Sequence, residues 1–73
     1  MTAFSEEHIN KWLDACRRND TQLMNAYLNA GMDPDVANKD GTRAIMLGVI
    51  NNSFHIWDTT LRILIPALQK RYA

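Results

Sequence analysis

Residues 12–31, WLDACRRNDTQLMNAYLNAG, hold two apolar stripes with a two-residue break, Asn19-Asp20, between their helices. With Ile9 just upstream, Trp12, Leu13 and Cys16 recur at i, i+3, i+4 and i+7, one face of a helix. The second stripe is Leu23, Met24, Tyr27 and Leu28. Asn19-Asp20 interrupts the pattern, and Asp20 is suited to cap the helix that follows. Asparagine tolerates the left-handed region better than most residues, so Asn19 suits the turn. Gly31 closes the second stripe, because only glycine takes the left-handed C′ conformation without steric cost. Ser5 is placed to cap the first helix. Glu6 and Glu7 complement the positive end of its dipole, and Arg17 and Arg18 the negative end. These signals predict helices over about 5–18 and about 21–30. A break of two residues folds them into a tight antiparallel hairpin.

Outward from this pair the chain turns polar. Residues 31–42, GMDPDVANKDGT, are rich in turn formers. Pro34 disfavours helical geometry at Asp33, and Asp40-Gly41 marks a tight turn. An extended finger is expected here. Helix resumes over about 43–51, with Thr42 as its cap and Ile45, Leu47 and Ile50 apolar. Asn51-Asn52-Ser53 breaks it. A fourth helix is expected from Phe54, carrying Ile56, Trp57, Leu61, Leu64 and Ile65. Pro66 either kinks this helix or opens a short final one at its first position. Leu68 is apolar in that C-terminal tail, and Lys70 and Arg71 suit its end.

Seventy-three residues make one domain, here 1–73. Apolar residues are 47% and charged residues 22%, the balance of a globular chain and not of a disordered or membrane one. Eight basic side chains offset eight acidic ones. Net charge therefore does not draw the chain to nucleic acid or anionic lipid. No apolar run reaches the ~18–20 residues of a membrane span. MTAFSEEHINKW lacks the basic and apolar regions of a signal peptide. A single cysteine makes no internal disulfide and points to the cytoplasm. With no covalent or metal staple, a fold of this size must be local and helical, or be completed by a partner.

Residues capable of chemistry do not assemble into a site. His8 and Cys16 lie eight positions apart on one helix, roughly 12 Å along its axis, beyond the reach of a base for its nucleophile. Cys16 reads instead as a small buried residue beside Ala15. His8 and His55 have no companion ligand at i+3 or i+4, so no metal is expected, and both read as exposed. Asp33, Asp35 and Asp40 fail the calcium-loop pattern. Asn38 stands where glycine is needed, and Ala44 where a bidentate glutamate is needed. These aspartates read as makers of turn hydrogen bonds. Gly31, Gly41 and Gly48 are too scattered to cradle phosphate. No cofactor and no catalysis are expected. Arg17-Arg18 and Lys70-Arg71 are the basic doublets, without the aromatic interleaving of a nucleic-acid binder. Trp12 reads as core. Trp57 divides evenly between core and a binding hot spot.

Shifting the chain on itself by 33 positions places Ala15-Cys16 on Gly48-Val49, Leu23-Met24 on Ile56-Trp57 and Leu28 on Leu61. Break falls on break. A period of 33 residues built of a turn and a helical hairpin resembles the ankyrin family, here over about residues 12–62. Asn29-Ala30-Gly31-Met32-Asp33 resembles the end of one repeat, and Asp40-Gly41-Thr42-Arg43-Ala44-Ile45-Met46-Leu47 the start of the next. Four features depart from the pattern. Arg43-Ala44-Ile45-Met46 replaces the usual Thr-Pro-Leu-His. Asn19 and Asn52 replace turn glycines. Thr59-Thr60 replaces leucines. Leu64-Ile65-Pro66 stands where a further Gly-Ala-Asp segment belongs.

The expected architecture is thus all-α: two stacked helical hairpins joined by a finger, ankyrin-like, with a short C-terminal helical tail. The resemblance implies a non-catalytic module that binds another protein through finger tip and inner helices. Carried onto this chain, those positions are Asp35, Asn38, Lys39 and Asp40 of the finger, Arg17 and Ile50 one period apart, and Arg43 at the helix start. Ile50 stands out, since a solvated surface gives no reason for an apolar residue. Trp57 joins them because helix four carries more apolar residues than one stripe needs, with Ile63 off its main face. The small size and Met1 fit a complete small bacterial or phage protein, an inhibitor or immunity-type protein that blocks a larger one. Two alternatives are a homodimer closed through the helix-four face and a helical nucleic-acid binder using the basic doublets.

Overall fold

The computed structural model describes residues 4–51 and 58–73, with residues 49–51 described by their helical backbone alone. Among the described residues four helices follow one another: α1 Glu6–Arg17, α2 Thr21–Asn29, α3 Ala44–Asn51 and α4 Asp58–Arg71. No strand occurs among the described residues. The radius of gyration is 11.3 Å, matching the roughly 11 Å of a close-packed chain of this length.

α1 begins as its sequence dictates. Ser5 is extended, and its hydroxyl accepts from the His8 N–H at 3.3 Å. Glu6 and Glu7 occupy the first turn. The apolar stripe turns inward and buries Trp12, Leu13, Ala15 and Cys16, with Ile9 packed at its edge. Burial pushes the Cys16 thiol up to about 12, because the thiolate is disfavoured away from water.

The turn into α2 uses no residue only once. Asn19 adopts φ 58°. Its N–H donates to the Cys16 carbonyl at 3.3 Å, and the Asp20 N–H to the Ala15 carbonyl at 2.9 Å. This is the paired bond pattern that closes a helix over a left-handed residue. Asp20 then accepts from the Leu23 N–H at 3.3 Å and caps α2. α2 ends the same way over a glycine. Gly31 has φ 97°. The Gly31 N–H bonds the Leu28 carbonyl at 3.1 Å, and the Met32 N–H bonds the Tyr27 carbonyl at 2.9 Å. Met32, 4% exposed, folds back into the core.

α1 packs on α2 and on α3, and α2 packs in turn on α4. The buried cluster is Trp12, Leu13, Ala15, Cys16, Met24, Met32, Ala44 and Leu64. α4 contributes Leu64 and one polar residue, Thr60, which is fully buried. The Thr60 hydroxyl lies 3.2 Å from the Cys16 carbonyl oxygen, to which it donates, and also meets Asn19 Oδ1. It thereby satisfies the carbonyl end of α1. The Trp12 Nε1–H is buried and has no partner among the described residues; an unpaired buried N–H costs about 1–3 kcal/mol.

Three local expectations change. α3 starts at Ala44, one residue late, because Thr42 is engaged in the finger: its N–H donates to Asn38 Oδ1 at 3.0 Å. α4 runs through Pro66 to Arg71, so the tail is the second half of that helix and not a separate one. Proline lacks the amide that would bond the Arg62 carbonyl, and Pro66 sits on the exposed side. Ile63 packs against the core. The expected start of helix four at Phe54, and its Ser53 cap, lie outside the described residues.

Candidate functional site

The finger between α2 and α3 is built from side-chain bonds to its own backbone. Asp33-Pro34-Asp35-Val36 is a turn in which the Val36 N–H donates to the Asp33 carbonyl at 3.1 Å. Asp33 Oδ1 accepts from the Asp35 N–H at 2.9 Å. Pro34 is buried. Further out, Asn38 closes the tip. Its Oδ1 accepts from the Asp40 and Thr42 amides at 2.9 and 3.0 Å. Its N–H donates to the Thr42 carbonyl at 3.0 Å, and its carbonyl accepts from the Gly41 N–H at 2.9 Å. Gly41 takes φ 81°, which this tip requires.

The tip is latched to α1. Asn38 Nδ2 donates to Asn10 Oδ1 at 3.0 Å, and the Lys39 N–H donates to Glu6 Oε2 at 2.9 Å. Between latch and helix lies a groove of about 230 Å³, lined by Asn10, Leu13, Asp14, Arg17, Asn38, Thr42 and Leu47. Leu13 and Leu47 supply its apolar lining, and the polar residues its walls. Asp14 is bonded by Arg17 and lies 2.8 Å from Arg18 Nε. The Arg17 hydrogen bond above all, with the Arg18 charge beside it, holds the Asp14 carboxyl below the usual carboxylate range. A second cleft of about 540 Å³ lies between Leu28, Met32 and Pro34 on one side and Ala67, Lys70 and Arg71 on the other.

The sequence-predicted contact residues fall into three groups. Arg17 and Asn38 both line the groove, and Lys39 and Asp40 are exposed at the tip. Asp35 and Arg43 pair with each other, Arg43 Nη1 lying 3.3 Å from the Asp35 carboxylate and donating to its carbonyl at 2.7 Å. The Ile50 side chain and all of Trp57 lie outside the described residues. Glu6 and Asn10 escaped the sequence reading, since a carboxylate in a first turn already has a dipole to complement. Arg71 and Tyr72 also went unseen, bonded to Asp33 and Asp35 across nearly forty residues.

The remaining candidates are placed as follows. Cys16 is buried in the core. His8 is exposed, with Nδ1 3.3 Å from the Tyr27 hydroxyl and its ring edge-on to Phe4. No group of three metal-binding side chains occurs among the described residues, and no described helix is long and apolar enough to cross a membrane. Arg17, Arg18 and Arg71 all contact aspartates. On α4, Ile65 is 41% exposed. No family model, curated protein or solved structure matches the chain.

Proposed function

We propose that this chain is a non-catalytic protein-binding module, two stacked ankyrin-like hairpins whose finger and inner helices grip a larger protein and block it. The observation that carries the reading is the groove between α1 and the finger. Its apolar lining and polar walls suit a partner's side chain, and the tip beyond it is held in one pose by Asn10 and Glu6. A surface ordered before contact loses less entropy on binding. The packing order, α1 on α3 and α2 on α4, is the inner-on-inner and outer-on-outer order of stacked hairpins, and it supports the ankyrin-like arrangement.

A photo-crosslinker placed at Lys39, compared with one at Gln22 on the exposed side of α2, tests the reading. One protein captured in stoichiometric yield from Lys39, weakly from Gln22, and lost with Arg17→Glu is the expected result. Equal capture from both positions, or capture indifferent to Arg17, would reject it. A self-crosslink through Ile65 together with a dimeric mass by light scattering would replace it with the homodimer.

A further inference from the structure

The base of the finger is fastened differently from its tip. Two aspartates separated by Pro34 collect donors from two distant elements. Asp33 Oδ1 accepts from Arg71 Nε, in the last turn of α4, at 3.1 Å. Asp35 receives Arg43 from the start of α3 and the Tyr72 hydroxyl from just beyond α4. Arg71 lies 5.2 Å from the Tyr72 ring centroid, so the two donors support each other. The bond to Asp35 raises the Tyr72 hydroxyl above its ordinary range.

We propose that Asp33, Asp35, Arg43, Arg71 and Tyr72 form a clasp by which the end of α4 sets the pose of the finger. Opening it frees the finger base while leaving the α1–α2 core closed. The argument is one of placement. None of the five side chains belongs to the buried cluster, and the core beneath them is held by Trp12, Met24 and Met32. Exposed ion pairs are individually weak, but here they share partners, so they form and break together. A segment held by exposed polar bonds next to a well-packed core is the kind that opens locally. Buried Met32 and half-buried Val36 flank the clasp and serve as its hinge points. The consequence for partner binding rests on the function proposed above. The clasp itself does not.

Hydrogen exchange on the free full-length chain tests it. Arg71→Gln combined with Tyr72→Phe should speed exchange of the Asp35 and Val36 amides at the finger base by about two- to five-fold. The amides of Trp12 to Cys16 should keep their rates. Arg71→Lys, which keeps a cation facing Asp33 and leaves the Asp33 turn bond intact, should retain most of the protection that Arg71→Gln removes. Unchanged finger amides would overturn the clasp. So would core amides accelerating by the same factor, since that reports a general loss of stability. No partner is involved, so this failure is distinguishable from failure of the crosslinking experiment.

Discussion

α1 and α4, at 12 and 14 residues the two longest of the described helices, are held by different forces. α1 buries four residues, among them the largest side chain of the core. α4 buries two, one of them a threonine, and carries a proline in its interior. Ile63 and Leu68 pack at the edge of the core, and directed polar bonds complete the attachment: Thr60 to the end of α1, Arg71 to Asp33, Tyr72 to Asp35. Apolar burial is tolerant of angle and cooperative with the whole core. Polar bonds fix an exact geometry but yield one at a time. The first helix should therefore govern whether the chain folds, and the last helix how its finger is held.

The sharpest way to break this contrast is Trp12→Ala, which should cost about 3–5 kcal/mol. That is most of the stability of a domain this small, and circular dichroism should show the chain largely unfolded. Trp12→Phe should stay within about 1 kcal/mol in urea denaturation, because the lost packing is offset by removal of the unpaired N–H. On α4 the largest effect should have the opposite sign. Pro66→Ala restores the amide facing the Arg62 carbonyl and should stabilise by about 2 kcal/mol, net of the entropy the unfolded chain regains. Thr60→Val keeps the shape and removes the hydroxyl. It should cost about 1 kcal/mol through the lost hydrogen bond, since the Cys16 carbonyl still accepts from the Asn19 N–H, and exchange should rise first at the Asn19 and Asp20 amides. A neutral result would mean that α4 is held by packing after all.

The smallest effect at neutral pH belongs to Cys16. Its thiol titrates at about 12 in the fold against a reference of 9.0. Between these values the unfolded chain has lost the proton and the folded chain keeps it, so stability falls as pH rises above about 9. Below that pH the thiol contributes no slope. Urea midpoints at pH 8 and pH 10 should diverge in the wild type by more than in Cys16→Ala.

The first hairpin could be read directly from residues 5–31. Its stripes, Ser5, Asp20, Asn19 and Gly31 all act within four or five positions of themselves, where spacing and propensity decide. The same holds for the Asp40-Gly41 tip. What could not be read depends on distance along the chain. Thr60 reads only as a departure from a leucine position, because its bond to the carbonyl end of α1 spans 44 positions. Arg71 looked like a dipole complement, and its bond to Asp33 spans 38 positions. Pro66 left two outcomes open that local rules do not separate. For the candidate site, Lys39 and Asp40 stand exposed as the pattern suggests, whereas Asp35 and Asn38 are engaged within the finger. A side chain's type is the same in both roles.

Asp20 ends one helix and begins the next, which leaves no slack between them. One inserted residue there would swing α2 by about 100° relative to its cap, carrying Met24 from the core toward water. Between Lys39 and Asp40, both exposed, extra residues would open the tip that Asn38 closes but leave the buried cluster in place. Of these two turns, the finger tip is therefore the one where a grafted peptide should leave the core folded, with the bonds that Asn38 makes there lost.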